Sequence, residues 1–167
     1  MKSVDEHTPV PRTGFGYDVH RLVPGRPLVL GGVKIEFDKG LEGHSDADVI
    51  VHAVCDALLG AAALGDIGKH FPNTDQRFRG ISSLVLLAEA GRLVEAAGYA
   101  LVNIDATLVM ELPKILPHAP AMCAAIAGAL GVPPGRVSLK ATTGEGMGFA
   151  GRGEGAAAYA VATIVHL

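Results

Sequence analysis

The sequence predicts an α+β fold, a mixed β-sheet with helices packed on one face. Three observations carry this expectation. Extended and helix-like segments follow one another without the regular strand–helix–strand rhythm of a doubly wound sheet. Glycines stand where turns and helix ends are needed. Hydrophobic residues make up 49% of the 167-residue chain and charged residues 19%, enough apolar surface to bury a core and exclude disorder.

The elements follow in order. Residues 1–12 mix Asp5, Glu6 and His7 with two prolines and read as a flexible leader, and residues 13–167 read as a single domain. The leader lacks the apolar stretch of a secretory signal, and its acidic residues count against a transit peptide. Gly14 to Val19 reads as a strand. Pro27 to Phe37 reads as two short extended runs with a turn at Gly31-Gly32. Ser45 is positioned to cap a helix running from Asp46 to Leu59 and closing at Gly60, with Val49, Ala53, Leu58 and Leu59 on its apolar face. A second helix starts near Ser82 or Ser83 and stops at Gly98, a residue suited to the left-handed turn after a helix. Tyr99 to Met110 alternates as a strand. Pro117 to Leu130 is an alanine-rich helix closed by Gly131 and Pro133-Pro134, and Val137 to Thr142 and Ala157 to His166 complete the sheet.

Charge and cysteine usage narrow the function. A formal net charge of -3 argues against a nucleic-acid binder, which would show a basic face. Cys55 and Cys123 each lie in an apolar helical run and read as buried free thiols of a reducing compartment. No apolar run reaches the length of a membrane span. The expectation is a soluble, cytoplasmic protein with neither nucleic acid nor membrane as partner.

Asp18 and His20 stand two apart in a strand, so their side chains leave the same face and offer two metal ligands. The same pattern also suits an ordinary polar strand face. Asp48, His52 and Asp56 lie at i, i+4 and i+8 of the predicted helix. His52 then offers a third ligand, with Asp48 or Asp56 orienting its other ring nitrogen; a solvated polar stripe fits the spacing equally well. Three protein ligands with a free fourth position describe a catalytic zinc. The loop from Lys140 to Phe149 is rich in hydroxyls and glycines and suits phosphate oxygens, and its Glu145 offers an oxygen to Mg²⁺ or Mn²⁺. It is not a Walker loop, since no lysine follows the glycines.

Taken together, several stretches resemble the 2-C-methyl-D-erythritol 2,4-cyclodiphosphate synthases. They are Gly16-Tyr17-Asp18-Val19-His20, Leu41 to Asp48, Asp56 to Gly68, Phe71-Pro72-Asn73-Thr74-Asp75, Pro113-Lys114, Lys140-Ala141-Thr142-Thr143 and Gly148 to Gly155. They keep the family's order and cover nearly everything after the leader. The resemblance implies a homotrimer with active sites at subunit interfaces. It implies Zn²⁺ on Asp18, His20 and His52, and Mg²⁺ or Mn²⁺ on Glu145 with the substrate diphosphate. His44 and Thr143 match catalytic positions that support the transition state. Ser45, Asp66, Ile67, Gly68, Phe71, Asn73 and Asp75 match the pocket for methylerythritol phosphate. Met110, Pro113, Lys114, Ile115 and Leu116, with Ala141 and Thr142, match the cytidine and diphosphate pocket supplied by a neighbouring subunit. Phe149 and Arg152 complete the substrate-binding set, Arg152 beside a central channel proposed to take isoprenoid diphosphates.

The implied reaction belongs to the non-mevalonate (MEP) isoprenoid route. The 2-phosphate of 4-diphosphocytidyl-2-C-methyl-D-erythritol 2-phosphate attacks the β-phosphorus, expels CMP and closes a cyclic diphosphate, a phosphorus–oxygen lyase reaction. The substrate brings its own nucleophile, so the protein mainly positions groups and neutralises charge. Two departures stand out: Asn73 where the family usually has Asp, and Tyr159 where it often has an acidic residue near the channel. Two other readings are a metal-dependent phosphohydrolase of a nucleoside diphosphate-linked substrate and a non-catalytic trimeric binder of isoprenoid phosphates.

Overall fold

A computed structural model describes residues 10–167; most of the leader expected at residues 1–12 lies outside the described residues. The first strand is longer than expected, β1 (Arg12–Pro24), and is followed by β2 (Leu28–Leu30), β3 (Val33–Ile35) and the short β4 (Lys39–Leu41). Gly31 and Gly32 have φ of +56° and +76° and form the two-residue turn between β2 and β3, a conformation only glycine adopts freely. Next come α1 (Val49–Ala61), the single-turn α2 (Ile67–His70), α3 (Ser83–Ala96), β5 (Tyr99–Val109) and α4 (Ala119–Ala129). The chain ends through β6 (Val137–Thr142), the single-turn α5 (Gly148–Gly151) and β7 (Gly155–His166).

Five strands form one sheet in the order β4-β1-β7-β5-β6. Only β5 and β6 run parallel, so the sheet is mixed as predicted. β2 and β3 pair separately as a hairpin.

The first helix starts three residues later than its sequence suggests. Asp48, not Ser45, is its cap, and it does more than cap. Its fully buried carboxylate accepts the Val51 amide at 3.2 Å, the Gly31 amide at 2.9 Å and the Gly32 amide at 2.6 Å. One side chain thus ties the hairpin turn to the helix start. The helix beginning at Ser83 and the left-handed Gly98 after it agree with the sequence.

α1 is buried almost all round, and the exceptions are His52, Asp56 and Gly60, a stripe spaced by four residues. Two glycines of β1 explain how close this helix lies. A Cβ on Gly14 would sit 2.0 Å from the Ala57 carbonyl oxygen, and one on Gly16 would sit 1.9 Å from that of Ala53. β7 helps by presenting Ala156, Ala158, Ala160 and Ala162 to the core. With no bulky side chains between them, helix and strand backbones touch. The opposite sheet face is left open and carries exposed Phe15, Tyr17, Val19, Tyr159 and Val161.

Candidate active site

The face of β1 that presents Gly14 and Gly16 next presents Asp18 and His20. Because Gly16 touches α1 at Ala53, the neighbouring His52 arrives beside Asp18. His52 Nδ1 and His20 Nε2 each lie 2.9 Å from Asp18 Oδ2, and the two ring nitrogens are 3.2 Å apart. All three side chains are partly buried, with 13 to 24% of their surface exposed. Burial would raise the Asp18 carboxyl, but hydrogen bonds from His20 and His52 outweigh it and hold it well below the usual carboxylate range. Burial likewise works to lower His20, and the bond to Asp18 overcomes it and raises that imidazole. His20 Nδ1 lies 2.7 Å from the Glu42 carbonyl. A carbonyl only accepts, so Nδ1 carries the proton of the neutral ring and Nε2 turns its lone pair to the cluster.

These residues fit a zinc ion. Bonds of about 2.0–2.1 Å in a tetrahedron set ligand atoms about 3.3 Å apart, close to the spacings found here. The donor set, two imidazoles and one carboxylate, is also one that zinc accepts, and the three are the one such cluster among the described residues.

The expected orienting groups of His52 are different. The carboxylate of Asp48 is consumed by backbone amides, and Asp56 accepts the Ile67 amide at 2.7 Å. Burial raises the Asp56 carboxyl. The second ring nitrogen of His52 instead meets Ser83 Oγ at 2.9 Å and Ser45 Oγ at 3.2 Å. In sequence, Ser83 looked like a helix-starting hydroxyl. In the fold it is the first helical residue and fully buried, and its Oγ stands between His52 Nε2 and the Asp46 carboxylate, to which its hydroxyl donates.

His20 and His52 line a cavity of about 620 Å³ together with His44, Ser45, Ile67, Gly68, Phe71 and Asn73. Phe78 and Leu86, which the sequence did not single out, add apolar wall. Asp66 and Asp75 hold its loops: Asp66 caps α2 through the Lys69 amide at 2.9 Å, and Asp75 caps a 3₁₀ turn at Gln76–Phe78. The Arg77 guanidinium on Asp75 lowers that carboxyl. His44 Nε2 lies 3.3 Å from the Asp75 carbonyl, and Arg26 steadies the His44 loop by donating to the Gly43 and Ser45 carbonyls at 3.0 Å each.

The other half of the predicted site is elsewhere in the chain. Met110, Pro113, Lys114, Ile115, Leu116, Ala141, Thr142 and Thr143 line a second cavity of about 180 Å³ that shares no residue with the first. β7 and β5 stand between β1 and β6. The second cavity is built on β5 and β6, so two to three strand spacings separate the two halves, roughly 10–14 Å at about 4.8 Å each. Phe149 and Arg152 line a third cavity with His20 and Lys39, where Arg152 pairs with Glu154 at 2.8 Å. Glu145 is exposed, has φ of +52° and accepts a hydrogen bond from the Thr143 hydroxyl; it stands apart from the Asp18–His20–His52 cluster.

The YgbB family model matches residues 11–165. A 2-C-methyl-D-erythritol 2,4-cyclodiphosphate synthase of Desulfatibacillum aliphaticivorans is 62% identical over 153 residues, covering 92% of this chain and 99% of that protein. Among solved structures, the bifunctional IspDF of Campylobacter jejuni superposes with a TM-score of 0.92 at 41% identity, covering 96% of this chain but 43% of that one. A 2C-methyl-D-erythritol-2,4-cyclodiphosphate synthase in its CDP-bound form gives a TM-score of 0.84 at 42% identity, covering 92% and 99%. With this fold, this cluster and these relatives, the chain belongs to the YgbB family of 2-C-methyl-D-erythritol 2,4-cyclodiphosphate synthases.

Proposed function

We propose that the chain closes 2-C-methyl-D-erythritol 2,4-cyclodiphosphate from 4-diphosphocytidyl-2-C-methyl-D-erythritol 2-phosphate, as its YgbB relatives are named for doing. The observation that carries the reading is the meeting of Asp18, His20 and His52 at the wall of a cavity lined also by His44 and Ser45. In the reaction a 2-phosphate oxygen bonds to the β-phosphorus, the bond from that phosphorus to the bridging oxygen breaks, and CMP leaves with the electron pair.

Asp18, His20 and His52 would hold Zn²⁺, which supplies Lewis-acid stabilisation of charge on a phosphoryl oxygen. Glu145 would give one carboxylate to Mg²⁺ or Mn²⁺, ions that complete their shells with phosphate and water. Ile67, Phe71 and Phe78 offer apolar wall to the methylated carbon chain, while Ser45 and Asn73 offer hydrogen bonds to its hydroxyls. His44 and Thr143 act where charge develops, one from each cavity. Holding the two phosphates of one substrate together is a proximity effect.

The active form is a homotrimer with each site at a subunit interface. Two features support this. The zinc half and the cytidine half are separate within one protomer. The outer sheet face is aromatic and exposed, with Tyr17 and Tyr159 rings 5.1 Å apart, although a solvent-facing sheet surface is ordinarily polar. Arg152 is assigned to the anion-binding channel of that trimer. No helix among the described residues is long and apolar enough to cross a membrane, and the cytoplasm is the proposed location.

Phosphorus NMR of the purified protein with the cytidyl substrate and Mg²⁺ tests the reading. The expected products are CMP and a cyclic diphosphate. A linear phosphorylated product would instead make the protein a phosphohydrolase.

A further inference from the structure

Two strips of chain line the second cavity, and a side chain that does not line it joins them. One strip runs on from β5 through Met110 to Leu116, and the other leaves β6 through Ala141 to Thr143. The Glu111 carboxylate reaches across and accepts the Gly144 amide on Oε2 at 3.0 Å, although 33 residues separate the two. We propose that Glu111 is a positioning residue that holds the Thr143–Glu145 turn in register with the Lys114 loop, and so fixes the side of the site that grips a nucleoside diphosphate. The inference rests on the cyclodiphosphate synthase reading of that cavity.

The backbone explains why a side chain is needed there. The parallel ladder of β5 and β6 pairs Val109 with Thr142, and the Met110 amide still donates to the Thr142 carbonyl at 3.1 Å. Beyond this point both chains leave the sheet, and an amide past the ladder needs an acceptor from elsewhere. Glu111 supplies it to Gly144 in place of a backbone carbonyl.

The turn so anchored is not one that its residues adopt unaided. The Met147 amide donates to the Gly144 carbonyl at 2.8 Å, closing a tight turn whose central residues, Glu145 and Gly146, have φ of +52° and +74°. Gly146 takes that conformation freely, whereas a glutamate keeps it only where its surroundings hold it. Three contacts do so. Glu111 grips the Gly144 amide, the Thr143 hydroxyl donates to Glu145, and the Gly144 backbone lies against α5, where a Cβ would sit 2.5 Å from the Gly151 nitrogen. The last two lie within one stretch of chain, while the Glu111 bond crosses to the opposite wall of the cavity.

The consequence is geometric. Thr143 and Lys114 line the cavity from opposite strips, and Glu145 stands exposed next to Thr143. A turn free to swing would carry Thr143 and Glu145 away from Lys114, and a ligand would have to order them as it bound. Glu111 removes that cost by presetting the turn. It is outside the cavity wall, so it acts through the turn and not by touching the ligand.

The test compares wild type, Glu111→Ala and Glu111→Gln in two measurements, at a temperature where circular dichroism shows each protein folded. The first is hydrogen exchange of the Gly144 amide by NMR in chelator-treated, ligand-free protein, which needs neither metal nor turnover. Wild type should protect this amide, and Glu111→Ala should exchange it about tenfold faster, the effect of losing one hydrogen bond. The second is CDP affinity by calorimetry in the presence of Mg²⁺, expected to be about tenfold weaker in Glu111→Ala. Glu111→Gln keeps a carbonyl acceptor and should stay within about threefold of wild type in both. The proposal requires exchange and affinity to move together in Glu111→Ala; either moving alone, or neither, overturns it. An unprotected Gly144 amide in wild type overturns it as well, and this result needs no variant to fold. A wild-type protein that binds no CDP would instead overturn the cyclodiphosphate synthase reading, with Gly144 exchange still deciding whether Glu111 holds the turn.

Discussion

His52 Nδ1 and Asp18 Oδ2 meet at 2.9 Å although 34 residues separate them in the chain, one on α1 and the other on β1. The contact exists because Gly14 and Gly16 let the helix backbone rest on the strand. A larger residue at either glycine would lift α1 and open the cluster.

Removing His52 should therefore dismantle the site without unfolding the chain, since the ring is partly exposed and sits on the polar stripe of α1. His52→Ala is expected to lower zinc affinity by more than the roughly 100-fold upper range for outer partners, and turnover with it. Circular dichroism should stay native. Stoichiometric zinc with normal turnover in this variant would remove His52 from the site.

Asp48→Ala should act on stability instead. It leaves the Gly31, Gly32 and Val51 amides without their shared acceptor in a buried place. Each unsatisfied buried donor costs about 1–3 kcal/mol, so a loss of about 3 kcal/mol or more is expected on denaturant unfolding. A loss below about 1 kcal/mol would show that water or a shifted backbone replaces the carboxylate.

The zinc-free protein should show a pH signature. The His20 pKa is raised by Asp18, so its contribution to stability is full below the ordinary histidine value of about 6.5 and fades as pH rises through the folded value. The Asp18 pKa is depressed, so its contribution is full above about 3.9 and fades as pH falls through its folded value. The pair thus helps most between these limits. Zinc competes with the His20 proton, so affinity should climb with pH and level off above the raised pKa. Calorimetry in buffers of different ionisation heat should find more protons released per zinc bound below the raised His20 pKa than above it. Equal release on both sides would refute the pairing.

Asp18→Ala and Lys114→Ala should each be inactive alone and regain activity when mixed, because exchange creates sites with both intact halves. Lys114 lines the cavity that Asp18 and its partners do not reach. Verified subunit exchange without recovered turnover would count against a shared site.

Asn73 stands on the exposed loop at the cavity edge and keeps a carbonyl acceptor where the family resemblance leads one to expect a carboxylate. Replacing a charge-assisted bond with a neutral one costs about 1 kcal/mol. Asn73→Asp should change kcat/KM by no more than about tenfold in either direction. A gain of several hundredfold would mark this chain as a repurposed member of its family.

Much of this was legible in local pattern. Two-residue alternation put Asp18 and His20 on one strand face, and Gly31-Gly32, Gly98 and the Val137–Thr142 strand fell where spacing and glycine chemistry placed them. Helix periodicity also put His52 and Asp56 on one stripe. The groups that hold these residues were decided by tertiary structure. Local spacing offered Ser45 as the cap and Asp48 or Asp56 as the partner of His52. In the fold, the hairpin amides of Gly31 and Gly32 claim the Asp48 carboxylate, so Asp48 caps the helix and the ring turns to Ser83. A hydrogen-bonding group is taken by whichever partner the folded chain brings near it, and partners 17 or 31 residues away leave no trace in a four-residue period. Sequence therefore determined which residues have the chemistry of the site, while close packing of α1 on β1 decided which atoms face one another.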